Sequence, residues 1–393
     1  MRQETGSIKN PPIPPFRGGR GGIILLLASC LLLLSSCASS DIFPSISTSL
    51  ASPLTIAVNS AANRAYLVNS NNKVLYDTGS LQVLDISAPA SPVRVGTAEL
   101  PSFSGGSYLD AANGYLYVTN RLSDNDQDKT DTILRININE ASGTFLGVES
   151  FSDGSNPFGI AYDITSTNLY LATSESSVSY FPLGTPTSMS STSLANLSIS
   201  DGTTLSSSNL REMAILGRQA FISRTNGGVI VFDLDENNVD YYISDFTSPR
   251  GIVTDGANIY VVSVEVAGDG TISPTLFVIN PASLTAISGN TSATLIDKDT
   301  AGIVSASVAV GTDPQEVVVG TNYIFVSNMG SDSVTVINNP AFTANTSITV
   351  GDEPFGMAIY SPGGADTHLF VTNVQSNTVS IINIGTLAVA ATY

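Results

Sequence analysis

What most limits the folds open to this chain is a short strand-like unit that comes round seven times. Its centre reads Tyr66-Leu67-Val68-Asn69, Tyr117-Val118-Thr119-Asn120, Tyr170-Leu171-Ala172-Thr173, Phe221-Ile222-Ser223-Arg224, Tyr260-Val261-Val262-Ser263, Phe325-Val326-Ser327-Asn328 and Phe370-Val371-Thr372-Asn373. Aromatic and β-branched residues in runs this brief predict strands, because a helix would need more length. A second run follows each centre and closes on an apolar residue before Asp or Asn, as in Val83-Leu84-Asp85, Ile136-Asn137, Val231-Phe232-Asp233, Val278-Ile279-Asn280, Val336-Ile337-Asn338 and Ile381-Ile382-Asn383. The third unit ends instead in Phe181-Pro182, and Pro there predicts a frayed or shortened strand.

Between 11 and 16 residues before each centre lies a corner: Pro53-Leu54-Thr55, Gly106-Ser107-Tyr108, Pro157-Phe158-Gly159, Leu210-Arg211-Glu212, Pro249-Arg250-Gly251, Pro314-Gln315-Glu316 and Pro354-Phe355-Gly356. Pro fixes φ at such a turn, and Gly lets crowded backbones approach. A weaker run closes each unit. Four strands per unit and seven units predict an all-β chain, a seven-bladed β-propeller of four-stranded antiparallel blades. The unit resembles the YVTN-type repeat, spelled outright at Tyr117 to Asn120 and supported by the Pro-Phe-Gly corners. The propeller is expected over 53–393. Leu387 to Thr392 is the favoured outer strand of the last blade, with residues 45–51 the competing choice.

The amino terminus reads differently. Arg2, Lys9, Arg17 and Arg20 precede an apolar run from Ile23 to Leu34, which ends in Leu34-Ser35-Ser36-Cys37. A basic start, about a dozen apolar residues and small residues at the end predict a secretory signal rather than a spanning helix. The ending resembles the lipobox of bacterial lipoproteins. That resemblance implies cleavage after residue 36 and acylation of Cys37, with Ala38 in the next position leaning to the outer membrane. Residues 1–36 are then the signal and 37–52 a lipidated Cys with a Ser-rich tether. Cys30 leaves with the signal, so no internal disulfide is expected.

The chain has 33 acidic and 15 basic residues, for a net charge of −18. Nucleic acid is an unsuitable partner, because no basic stripe is available to neutralise phosphates. The sole histidine, His368, is a poor foundation for acid–base catalysis. With one His and no free Cys left after processing, a His/Cys zinc site is out of reach. Departures from the repeat are where function is expected. Loops between second and third strands are long in blades one, two and five (Ser70 to Ser80, Arg121 to Asp131, Glu265 to Pro274) and short elsewhere.

The corners also differ in polarity. Arg211, Glu212, Arg250, Gln315 and Glu316 stand opposite apolar Leu54, Phe158 and Phe355. Two arginines on one arc suit a carboxylate or phosphate; the bland alternative is that they pair with Glu212 and Glu316. Asp124, Asp126, Asp128 and Asp131 alternate oxygen donors as calcium loops do, although Lys129 and Arg135 stand where an EF-hand needs Gly and Glu. Calcium is the one candidate cofactor, and a solvated acidic hairpin is the alternative. Asp233, Asp235, Glu236 and Asp240 form a looser cluster. The expectation is a monomeric, membrane-tethered binding module of the cell envelope for a protein, peptide or glycan. The alternative is a lactonase-like or other hydrolase using channel carboxylates.

Overall fold

In every unit, the residue that opens the innermost strand pairs with the last residue of the central run on the second strand. That residue closes the second strand in all blades but the fifth, where the strand runs on to Val266. The pairs are Pro53 with Asn69, Ser104 with Asn120, Pro157 with Thr173, Leu210 with Arg224, Pro249 with Ser263, Pro314 with Asn328 and Pro354 with Asn373. One bulged residue follows each pair, and such an extra residue bends the strand and re-aims its side chains. The computed structural model describes residues 50–70, 78–101, 104–120, 132–152, 156–184, 189–205, 209–284 and 292–393. Over these residues it is an all-β, seven-bladed propeller with four antiparallel strands in every blade.

The innermost strands are Pro53–Asn59, Ser104–Asp110, Pro157–Asp163, Leu210–Leu216, Pro249–Thr254, Pro314–Val319 and Pro354–Tyr360. The pairing register corrects one corner: in blade two it is Ser104-Gly105-Gly106, two residues earlier than Gly106-Ser107-Tyr108. Ser in place of the expected Pro or Gly had hidden it. Blade three also departs from expectation. Its third strand keeps full length to Pro182, which pairs with Asn168 at the end of the ladder and lies exposed where a missing N–H does no harm.

Apolar cores lie between neighbouring blades. The aromatic residue and the residue two places later in each central run face the next blade, while the residue between them faces the previous one. Tyr66 and Val68, for example, join the core shared with blade two, and Leu67 the core shared with blade seven. The Thr of Tyr117-Val118-Thr119-Asn120 carries a different duty. Thr119 Oγ1 donates toward Gly106 O of its own blade (3.3 Å) and Phe158 O of the next (3.0 Å). Ser223 bridges Glu212 O and Arg250 O in the same way. The Asn ties its own hairpin: Asn373 Nδ2 donates to Thr378 Oγ1 and Ser380 Oγ, at 3.0 and 2.9 Å.

The ring closes between blades seven and one without exchange of a strand. Ala388–Thr392 completes blade seven, in agreement with the favoured register, and Pro53–Asn59 belongs wholly to blade one. Backbones meet closely at this seam. A Cβ on Gly356 would stand 2.4 Å from Leu54 O, a distance only glycine avoids.

Two excursions were not foreseen. A two-stranded hairpin (Leu197–Ser198 with Thr204–Leu205) is inserted between blades three and four. Thr294–Asp297, from the segment between the third and fourth strands of blade five, adds as a parallel fifth strand outside blade four. In the same blade five, Ile259–Val266 and Ile272–Ile279 pair as far as Val266 with Ile272. Half of the expected long loop is therefore hairpin ladder, and residues 267–271 form its tip.

Candidate functional site at the channel mouth

The second corner residues of blades one, three, four, six and seven line the channel mouth, and the third corner residues of blades one, two, four, five and six line a cavity beneath it. The mouth is a cavity of about 290 Å³ lined by Leu54, Phe158, Ser174, Asn209, Leu210, Arg211, Thr225, Gln315 and Phe355. Leu54, Phe158 and Phe355 are buried together with Val374 as one apolar cluster. Arg211 comes from the facing arc, with its guanidinium carbon 5.4 Å from the Phe158 ring centre and 5.5 Å from that of Phe355. A cation at that distance over aromatic faces is held by their quadrupoles. Arg211 Nη2 also donates to Gln315 Oε1 at 2.7 Å, and Gln315 Nε2 donates to Asp313 O at 3.2 Å.

Below lies a second cavity of about 190 Å³, whose polar lining comes from Thr55, Ser107, Glu212 and Glu316, with Gly106 and Gly251 between them. Ile160, Val253, Val317 and Met357 are among its apolar walls. Thr55 and Ser107 share a hydrogen bond of 3.2 Å, and the Met357 N–H donates to Glu316 Oε2 at 3.3 Å. Burial pushes the Glu316 carboxyl up to about 8, and the neighbouring Glu212 carboxylate adds to the shift. The Met357 N–H and the Arg211 charge oppose it without prevailing. Burial and the neighbouring carboxylate thus favour the protonated form of Glu316.

The structure divides the sequence-selected residues into three groups. Arg211, Gln315, Phe158 and Phe355 meet at the mouth, and Glu212 and Glu316 meet beneath it. Arg250 lines neither cavity; its Nη1 pairs with Asp313 Oδ1 at 2.6 Å. Of the two arginines, Arg211 lines the mouth and meets Gln315, and Arg250 pairs with Asp313; the Arg211 charge also acts on Glu316. Asp124, Asp126, Asp128 and Asp131 lie outside the described residues, as do most of the blade-one and blade-two loops and Cys37.

The looser acidic cluster does not converge on one point. Asp233 accepts the N–H groups of Asp235 and Glu236, Asp235 pairs with Arg218, and Asp240 accepts from Gln219. Among the described residues no three His, Cys, Asp or Glu side chains are placed to hold a metal ion. His368 pairs with Tyr360 at the end of the blade remote from the mouth, and its Nδ1 meets Thr367 Oγ1 at 3.1 Å. The mouth rim was missed by sequence reasoning. Ser174 and Thr225 directly follow the central runs of blades three and four, so their repeat position was the available signal.

No protein-family model and no curated protein matches the chain. Among solved structures it is similar to Kuenenia stuttgartiensis hydrazine synthase, with 15% identity and a TM-score of 0.64 over 87% of this chain and 98% of that chain. It is also similar to the computationally designed Ika8 protein, with 9% identity and a TM-score of 0.54 over 88% of each chain. At these identities the likeness is one of fold.

Proposed function

We propose that this is an exported lipoprotein of the cell envelope, carried on Cys37 at the outer membrane. In this reading its monomeric propeller binds a protein, peptide or glycan through the mouth face. The observation that carries the reading is the mouth cavity itself. It is concave, it is walled by Leu54, Phe158 and Phe355, and a few polar groups converge in it, as ligand pockets require. The leading sequence and the resemblance of Leu34-Ser35-Ser36-Cys37 to a lipobox support the address. The unit's resemblance to the YVTN-type repeat supports a scaffold that displays loops.

The test is capture of partners from an envelope extract, comparing the native chain with Ser174→Trp, which fills the mouth from a partly exposed rim position. Partners retained by the native chain and lost by the variant are the expected result; identical retention would sink the mouth as the binding face. Localisation is checked separately by labelling with a radioactive fatty acid, which Cys37→Ser should abolish.

One observation favours a second reading, that of a hydrolase. Burial and the nearby Glu212 carboxylate favour the protonated form of Glu316, and such a pair suits general acid–base chemistry. Turnover of a lactone panel that disappears in Glu316→Gln would establish it.

A further inference from the structure

The binding reading leaves the chemistry of the ligand open, and the mouth narrows it. Among the described residues, its lining holds one charged side chain, Arg211, and no carboxylate, although the chain as a whole is strongly acidic. A guanidinium forms two parallel hydrogen bonds to a carboxylate, a geometry that an ammonium cannot reproduce. Phe158 and Phe355 hold the Arg211 guanidinium between their rings, and Gln315 fixes one of its nitrogens, so its orientation is set before a ligand arrives. Preorganisation of that kind lowers the entropic cost of binding.

Size argues for a small ligand group. Sites for drug-sized molecules span about 300–1,000 Å³, and the mouth, at about 290 Å³, lies just below that range. One apolar side chain with its carboxylate is a fitting load for Leu54, Phe158 and Phe355 around Arg211. The rest of a chain would pass over the polar rim. There the Ser174, Asn209 and Thr225 segments are stitched together by Asn209 N–H to Ser174 O (3.0 Å) and Thr225 N–H to Asn209 O (3.1 Å).

A phosphate is less suited, because a dianion would meet one cation among apolar walls. The Glu212 carboxylate beneath Arg211 offsets part of its charge. The Glu316 carboxyl beside it adds none while it is protonated.

We infer that the mouth takes the free α-carboxylate of a peptide chain ending in an apolar residue, the carboxylate on Arg211 and the side chain among Leu54, Phe158 and Phe355. This rests on the binding reading above. The test uses the full chain and four probes: N-acetyl-glycyl-leucine, its C-terminal amide, 4-methylpentanoate and inorganic phosphate, with dissociation constants from calorimetry at pH 7.

The dipeptide acid should bind at least tenfold more tightly than its amide. Arg211→Ala should abolish the preference and Arg211→Lys should keep only part of it. Ser174→Trp, which leaves the arginine untouched, should block the acid. Tighter binding of the dipeptide than of 4-methylpentanoate places the source in a peptide chain; the reverse order overturns that assignment. Equal affinity for acid and amide, a preference that survives Arg211→Ala, or phosphate as the tightest probe overturns the proposal. If no probe binds while Ser174→Trp still loses its envelope partners, the carboxylate inference fails and the binding module stands. If those partners are retained as well, both fail.

Discussion

Thr372 serves three backbone groups with one hydroxyl. Its oxygen accepts the Gly356 N–H at 2.8 Å, and its proton serves Leu54 O at 3.0 Å and Gly356 O at 3.3 Å, all at a fully buried position. Replacement by Val keeps the shape and removes every one of these bonds, which strands buried backbone groups at a cost of roughly 1–3 kcal/mol. Thr372→Val should therefore lower the urea midpoint and Thr372→Ser should restore most of it; an unchanged midpoint in the Val variant would contradict the clip.

Glu316 sets a second residue-scale expectation, with the sign reversed from the usual carboxylate. Its carboxyl titrates near 8 when folded and near its ordinary value when unfolded, so between those values the folded state holds the extra proton. Stability then falls as pH rises through that window, and the full penalty is present above about 8. Glu316→Gln removes the penalty. It should change Tm little at pH 5 and raise it at pH 9, by roughly 2–4 °C for each kcal/mol recovered. A Gln variant no more stable than the parent at pH 9 would place Glu316 in water rather than in a dry channel.

The elements show which parts of this chain a sequence can disclose. Strands were legible because the aromatic and β-branched runs recur with turn residues between them, and the seven-fold count followed. Corners were legible wherever Pro opened them, and blade two was misplaced because Ser104 stands there instead. The inserted hairpin and the parallel strand Thr294–Asp297 left no trace, since both are short and without repeat. Their purpose appears only in the packing. The outer strand of blade six is mostly exposed, whereas the outer strand of blade four, Asn238–Ser244, buries Val239, Asp240, Tyr241, Tyr242 and Ile243.

An apolar strand of that kind left uncovered at a sheet edge is a template for aggregation. Thr294–Asp297 covers it in parallel register, and Ala293 locks the two excursions together through Ser198 O and the Ser200 N–H, both at 2.9 Å. Ala293 is wholly buried, so Ala293→Glu forces a charge into that joint and should cost several kcal/mol, a large value of the kind expected for an unpaired buried charge. Light scattering on warming should show aggregation of this variant before that of the parent. If its midpoint and scattering match the parent's, the excursions are ornament and not a cover.

In the ring as a whole, each of the other junctions between blades has a chain connection across it, and the seam between blades seven and one has none. That seam rests on the core of Ile56, Leu67, Tyr360, Phe370 and Ile381 with their neighbours, on the Thr372 clip, and on three further bonds. These are Ser52 N–H to Asn377 Oδ1 at 2.7 Å, Tyr360 Oη to Asn63 Oδ1 at 2.6 Å and Ser361 N–H to Ser60 Oγ at 2.9 Å. Repeat architectures derive stability from nearest neighbours, so opening begins at the interface whose loss frees the most chain. Opening the seam releases two blades at once, whereas parting any other junction leaves them tethered by a connecting segment. Native-state hydrogen exchange should therefore find the second-strand amides of blades one and seven opening at lower free energy than those of blade four. Tyr360→Phe, which removes one seam bond and little volume, should lower that opening free energy in blades one and seven and leave blade four unchanged. Equal exchange in all three blades would mean that the ring opens only as one cooperative unit and that the seam is as strong as its covalently connected counterparts.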